Sequence, residues 1–280
     1  MKAAPKGRNL AGIVPIAGKK DQFDFPWPDY LQPLREGFLA VERSIKECAM
    51  AGCDSIWIVV NDDTAPIVRK RIGDYVMDPR YFEEKDFVKR KSLHEKWIPI
   101  YYTPVSQKDR DRRDSLGWSV LHGALSCYVV SSKLSRWTKP TKYFVSYPLG
   151  IYPVDFLKEH RSDIRGSSSF CLSYKGQTFK DGKFLSFTFF PEEWVKLKRN
   201  IKQNCSGGDK SIPFQERWSS RFFGLDKIFG SGIIKEEIKV EIQEYYDLDS
   251  WESLQSYYKS EMVINRPSLQ FMKPYRYKKE

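Results

Sequence analysis

The chain has 280 residues, of which 41% are hydrophobic and 15% aromatic, enough to fill a sizeable core and too apolar for wholesale disorder. Lys and Arg number 47 against 36 Asp and Glu, a net charge of +11. That balance favours anionic partners such as nucleotides or nucleic acid, although basic residues also serve as ordinary solvated surface. No apolar run approaches the roughly 20 residues that span a bilayer, so no membrane partner is expected.

Met1 to Asn9 is basic but lacks the long apolar stretch of a secretory signal. Cys48, Cys53, Cys127, Cys171 and Cys205 are scattered and lack the paired Cys/His spacing of a structural zinc site. Reduced thiols and a cytoplasmic location are the expectation.

Leu10 to Gly18 is a short apolar run ending in glycine, the pattern of a buried parallel strand that opens into a loop. The segment Lys19 to Pro33 carries Pro26, Pro28 and Pro33 and cannot form a regular helix. Phe38, Val41, Ile45 and Cys48 then recur at helical spacing, with Gly52 as a stop. A second buried strand follows at Ile56 to Val60, completing a βαβ unit.

The alternation continues with a helix over Ile67 to Tyr75 and a strand over Trp97 to Tyr102. Asp114 or Ser115 can cap a helix whose apolar face holds Leu116, Val120, Leu121, Ala124, Leu125 and Tyr128. Lys142 to Tyr147 is the next strand. The expected fold class is α/β, with a mostly parallel, Rossmann-like sheet covered by helices on both faces. Ligands of such sheets bind beyond the carboxyl ends of the strands.

After Gly150 the pattern shifts towards a smaller, mixed β region. Ser169 to Tyr174 and Lys183 to Phe190 read as strands, and Pro191 opens a helix through Arg199. Asn204 to Lys210 reads as a polar loop, Ile238 to Tyr246 as a strand and Ser250 to Met262 as the last helix. The expected organisation is an α/β half over 1–165, a second half over 166–265 that returns a strand and helix to the core, and a basic aromatic tail over 266–280.

The order of several segments resembles the nucleotide-diphospho-sugar transferase superfamily, the GT-A-type fold of sugar-1-phosphate nucleotidyltransferases and related glycosyltransferases. Pro28-Asp29-Tyr30-Leu31-Gln32-Pro33-Leu34 is similar to that family's Pro-Lys-Pro-Leu-Leu-Pro segment, and Ala51 to Val60 to its Ala-Gly-x-x-x-Ile-x-Val-Val-Val run. Gly117 to Leu125 falls where the family has a Gly-Thr-Ala helix start that meets the nucleotide. Phe189 to Trp194 resembles the acceptor-side strand and helix. Tyr246-Asp247-Leu248-Asp249-Ser250-Trp251-Glu252-Ser253-Leu254 looks like the closing Asp-x-Asp-Thr-Pro-Glu-x-Leu turn, which holds a metal-binding carboxylate.

Three positions depart from the pattern. The phosphate loop Gly-x-Gly-Thr-Arg is replaced by Ala17-Gly18-Lys19-Lys20-Asp21-Gln22, the lysine of Pro-Lys-Pro by Asp29, and the Gly-Asp that should end the strand at Tyr147 by Pro148-Leu149-Gly150. The resemblance therefore implies a nucleotidyltransferase with a degenerate active site. It would join a nucleotide to a phosphorylated sugar or similar acceptor. Gly18, Lys19 and Lys20 would hold phosphate, Gly117 and Ser119 would line the nucleotide pocket, and Asp247 with Asp249 would be the catalytic, magnesium-binding pair. The alternatives are a glycosyltransferase that uses a sugar nucleotide, and a non-catalytic binding or assembly subunit that kept the fold.

Asp249 or Ser250 can also act simply as a helix cap, with Glu252 closing a capping box. Asn61-Asp62-Asp63 lies at the binding edge but suits an ordinary turn. The basic run Arg110 to Arg113 is a candidate phosphate or nucleic-acid contact or a solvated loop. His94, His122 and His160 show no metal spacing.

Overall fold

A computed structural model describes residues 9–18, 25–79, 97–105, 115–135, 138–204 and 224–265. The strands are β1 (Leu10–Pro15), β2 (Pro33–Arg35), β3 (Phe38–Leu39), β4 (Ser55–Asn61), β5 (Tyr75–Met77), β6 (Trp97–Val105), β7 (Lys142–Val145), β8 (Gly150–Ile151), β9 (Phe170–Ser173), β10 (Phe187–Phe189), β11 (Ile238–Glu241) and β12 (Tyr246–Asp247). The helices are α1 (Ala40–Met50), α2 (Ala65–Ile72), α3 (Leu116–Leu134), α4 (Arg161–Arg165), α5 (Pro191–Asn204), α6 (Leu225–Phe229) and α7 (Trp251–Lys259).

Among the described residues the strands form one eight-stranded sheet, in the order β11-β9-β10-β7-β1-β4-β6-β5, and two small antiparallel pairs, β12-β8 and β2-β3. The centre is parallel: β1 pairs with β4 and β7, and β4 with β6. β10 enters antiparallel between β7 and β9, and β5 closes the other edge antiparallel to β6.

Period-two alternation explains why helices cover both faces. Ala11, Ile13, Trp57, Val59, Tyr143 and Val145 point into one core, with Val120, Leu121 and Ala124 of α3. Leu10, Val14, Ile56, Ile58, Val60 and Phe144 point into the other, with Val41, Ile45 and Cys48 of α1. Both cores are continuous with the region after Gly150, since Phe187 and Phe189 belong to the first and Phe170 and Leu172 to the second.

Several boundaries differ from the sequence expectation. Phe38 lies in β3, so α1 starts at Ala40, where the Glu42 side chain accepts the Leu39 N–H at 2.8 Å. Gly73, with φ of 91°, stops α2, and Tyr75 opens an edge strand instead of ending a helix. The expected strand from Lys183 is confined to Phe187–Phe189, because Phe179–Asp181 forms a 3-10 turn just before it. The expected strand Ile238 to Tyr246 is divided between β11 and β12, which serve different sheets.

The two halves of α1 are anchored by buried polar chemistry. Its C-terminal carbonyls at Ala49 and Met50 accept from Arg161 at 2.6 and 2.7 Å, and Arg161 also pairs with Asp78. This satisfies helix-end acceptors and opposes the helix dipole with a cation. At its middle, Arg43 and Glu47 are both fully buried, one turn apart, with 3.3 Å between Nη1 and Oε2.

Candidate functional site

The carboxyl ends of β1 and β7 lie side by side, and the chain segments leaving them define the candidate site. β1 runs into Ile16-Ala17-Gly18, where the Ile16 and Ala17 N–H groups still donate to the Val59 carbonyl. Gly18 has φ of 87°, in the left-handed region that favours glycine, and a Cβ there would sit 2.7 Å from the Ser115 backbone nitrogen. The loop thus leaves the sheet pressed against the start of α3. Lys19 and Lys20 lie outside the described residues.

Ser115 caps α3, its hydroxyl accepting from Trp118 N–H at 3.2 Å. Ser119 is buried and donates its hydroxyl to the Ala17 carbonyl at 2.8 Å, tying the first turn of α3 to the end of β1. Gly117 is also buried, and a Cβ there would come within 2.4 Å of Ile228 Cδ1 on α6. In this state both residues are engaged within the protein: Ser119 fixes the strand end and Gly117 lets α6 pack close.

From β7 the chain passes through Ser146, Tyr147, Pro148 and Leu149 to β8, and β12 pairs with β8 so that Asp247 lies opposite Gly150. Leu248 N–H donates to Leu149 O at 2.8 Å. Gly150 is needed there, since a Cβ would stand 2.2 Å from the Phe184 carbonyl oxygen. A shallow crevice beside this crossing is lined by Pro15, Ile16, Asp29, Tyr30, Leu116, Pro148 and Leu149. Asp29 is buried within it.

Asp247 is half-buried and Asp249 exposed. The Asp249 N–H donates to Asp247 Oδ1 at 3.2 Å, a local turn that brings both carboxylates to one bend of the chain. The cap of α7 comes from Ser250, whose Oγ accepts from Ser253 N–H at 3.2 Å, while Ser253 Oγ accepts from Asp247 N–H at 2.9 Å. Ser250 and Ser253 thus do the work that the capping-box pattern had offered to Asp249 and Glu252. Burial, and after it the charge of the nearby Asp247 carboxylate, pushes the Tyr245 hydroxyl above its usual range.

Beneath the crossing lies a site element that the sequence reading did not single out. Glu47 accepts from Tyr152 OH at 2.7 Å, from Ser186 Oγ at 2.7 Å and from the hydroxyl of Ser146. Arg43 Nη2 donates to the Tyr147 carbonyl at 2.6 Å, and its guanidinium lies 4.5 Å from the centre of the Tyr152 ring. One buried ion pair therefore holds the two residues, Ser146 and Tyr147, that follow β7. Only the i,i+4 placement of opposite charges in a helix with an apolar stripe hinted at it.

The remaining candidates have plainer placements. Asp62 accepts from Asp63 N–H at 3.1 Å in the turn that enters α2. Arg69 pairs with Asp74, and Arg71 with Glu42, so these two cations of the basic α2 cluster have acidic neighbours. His160 lies 3.5 Å from Asp163, and His122 is half-buried on α3. His94 and Arg110 to Arg113 lie outside the described residues. Among the described residues no group of three or more His, Cys, Asp or Glu side chains could by itself hold a metal ion. No described helix is long and apolar enough to cross a membrane.

This architecture is the nucleotide-diphospho-sugar transferase fold, a large mostly parallel sheet with helices and small antiparallel additions, as in sugar-phosphate nucleotidyltransferases. A Bacillus anthracis protein described as a glucose-1-phosphate thymidylyltransferase, solved with sucrose, superposes with a TM-score of 0.54 at 11% identity, covering 92% of this chain and 97% of that one. A UDP-glucose pyrophosphorylase complexed with UDP-glucose gives 0.51 at 12% identity, covering 90% and 99%. A nucleoside-diphosphate-sugar pyrophosphorylase from Vibrio cholerae gives 0.50 at 13% identity, covering 89% and 100%. No family model matches the sequence, and no curated protein matches it.

Proposed function

We propose that the protein binds a nucleotide or sugar nucleotide at the carboxyl ends of β1 and β7, and acts as a divergent nucleotidyltransferase towards a phosphorylated sugar or similar acceptor. The observation that carries this reading is the β12–β8 pairing, which sets Asp247 across from Gly150 beside the end of β7. The carboxylate supplied from the end of the chain thus meets the loop that no longer carries one.

Gly18 and the lysines that follow it would receive phosphate. Gly117 and Ser119 would line the nucleotide pocket, with Ser119 fixing α3 against the end of β1 and Gly117 letting α6 pack close to α3. The Asp247–Asp249 bend is a hard-oxygen donor set, and it fits magnesium of the kind that takes one or two carboxylates and completes its shell with substrate phosphate and water. When bound, magnesium would neutralise charge on the transferring phosphoryl group. The protein's own part is positioning: Arg43 and Glu47 hold the Tyr147 carbonyl and the Ser146 hydroxyl, and with them the course of the 146–150 loop. A cytoplasmic location is part of the same proposal.

A second reading, a non-catalytic binding or assembly subunit, is favoured by a specific observation. Pro148 and Leu149 line the crevice where the family would carry its other metal carboxylate, beside the buried Asp29. Two measurements separate the readings. Thermal denaturation is followed with magnesium and each nucleoside triphosphate or sugar nucleotide, where a ligand at about 100 times its Kd stabilises by about 2.7 kcal/mol. Pyrophosphate release is then assayed with a panel of sugar phosphates. Stabilisation that is lost in the Asp247→Asn, Asp249→Asn double variant, together with turnover, supports the transferase. Stabilisation without turnover supports the subunit, and a flat response to every ligand refutes nucleotide binding altogether.

A further inference from the structure

The C-terminal cap of α1 brings two thiols together. Gly52, with φ of 82°, reverses the chain after the helix. Its N–H donates to the Ala49 carbonyl at 3.1 Å, and the Cys53 N–H donates to the Cys48 carbonyl at 3.1 Å. These two bonds form a Schellman motif, whose closing side-chain contact joins a residue of the last helical turn to the one just beyond the glycine. Here those two residues are Cys48 and Cys53, both free thiols, exposed by 0% and 3%.

The thiols touch each other as well as sharing a turn. Burial, and after it a hydrogen bond to Cys53, pushes the Cys48 thiol above its usual range. Both sulfurs face the central strand: a Cβ at Gly12 of β1 would stand 2.8 Å from Cys48 Sγ and 3.2 Å from Cys53 Sγ. A glycine inside a strand often marks a close approach, and here the pair of sulfurs makes it. The cap is clamped from outside, since Arg161 donates to the Ala49 and Met50 carbonyls and Arg165 to the Gly52 carbonyl and Asp54. A small apolar pair would fill the same space, but only two thiols can exchange their contact for a bond.

We infer that Cys48 and Cys53 are a dithiol–disulfide couple, a site of reversible oxidation built into the cap of α1. The inference is independent of the nucleotide reading. With hydrogen peroxide as oxidant, the Cys53 sulfur, the less enclosed of the two, attacks one peroxide oxygen. The O–O bond breaks, the departing oxygen takes the thiol proton and leaves as water, and Cys53 becomes a sulfenic acid. The Cys48 sulfur then attacks the Cys53 sulfur, the S–O bond breaks, and the second oxygen leaves as water with the Cys48 proton. Two electrons pass from the thiols to the peroxide, and the disulfide ties the last turn of α1 to the segment that enters β4. Because the thiolate is the reactive form and both thiols are buried, the site responds to prolonged rather than brief oxidation.

Incubation of the folded chain with hydrogen peroxide, followed by alkylation, tryptic digestion and mass spectrometry, tests this. Both cysteines fall in one tryptic peptide, Glu47 to Arg69, so the disulfide appears there as the loss of two hydrogens and of both alkylation sites. Dithiothreitol should reverse both signs. The part of the melting-temperature change that dithiothreitol reverses should be a rise with oxidation, and Cys53→Ser should lack it. The wild-type readings stand whether or not that variant folds. Full alkylation of the peptide after prolonged exposure overturns the inference, as does Cys53 sulfinic acid without a disulfide. A reversible fall in melting temperature also overturns it, because a cap that already holds the sulfurs in contact is not strained by joining them. So does a disulfide that forms only in urea, which would assign the reaction to the unfolded chain.

Discussion

Replacing Glu47 with Ala should strongly destabilise this fold, and the size of the effect can be worked from its contacts. The carboxylate has no exposed surface and accepts from Arg43, Ser146, Tyr152 and Ser186. Truncation leaves the Arg43 guanidinium buried without its counter-ion, held among the described residues by Ser44 Oγ, the Tyr147 carbonyl and the Tyr152 ring. Breaking a buried pair from one side costs about 3–5 kcal/mol. For a chain of this length that lowers the melting temperature by about 5–8 °C. Arg43 Nε finds no acceptor among the described residues, so the pair carries a desolvation cost even when intact. An Arg43→Met, Glu47→Leu double replacement should therefore cost clearly less than Glu47→Ala alone. Urea unfolding of the wild type and both variants gives the comparison. A loss below about 1 kcal/mol for Glu47→Ala, the size expected of an exposed pair, would refute the buried-network argument.

Two further predictions concern the last helix and the thiols. Ser250→Ala should cost about 0.5–2 kcal/mol, whereas Asp249→Ala should leave stability nearly unchanged, because the cap oxygen belongs to Ser250; equal losses in urea titrations would contradict that assignment. Burial pushes the Cys127 thiol up to about 12, so its contribution to stability is complete below the ordinary thiol value and is lost as pH rises from there towards 12. That loss approaches about 1.4 kcal/mol per pH unit, and melting curves between pH 8 and 11 should fall less steeply for Cys127→Ala than for the wild type.

The parts of the fold legible in the sequence were those in which one periodicity ran uninterrupted. Leu10 to Pro15, Ile56 to Val60 and the Leu116–Tyr128 face of α3 announced themselves because burial on one or both sides leaves a continuous or periodic apolar record. Where a few residues switch partners the record is too short. Tyr246 and Asp247 continue the apparent strand of Ile238 to Val240, yet they pair with Gly150 and Ile151, and nothing local distinguishes the two sheets.

At the candidate site the sequence offered residues but not their contacts. Asp247 and Asp249 were singled out by the resemblance to an Asp-x-Asp turn, and their spacing is also what builds the turn between them. Gly117 and Ser119 were singled out by the resemblance at the start of a helix, but what each touches, Ile228 and the Ala17 carbonyl, lies more than a hundred residues away in sequence. Arg43 and Glu47 escaped notice because charged residues spaced four apart on a helix usually face water.

The placement of β11 has a consequence for the growing chain. Phe170 to Ser173 is fully buried, with β10 on one side and β11 on the other, and β11 is separated from it by residues 174–237. Until that later segment has been synthesised, the outer edge of β9 presents unpaired backbone groups beside apolar side chains, the kind of surface that recruits strands from other molecules. Once it arrives, the sheet ends instead in a strand bearing Lys239 and Glu241, whose charges make a poor template for further addition. The hazard is confined to an interval of synthesis, and the segment that ends it also leads directly into the strand carrying Asp247.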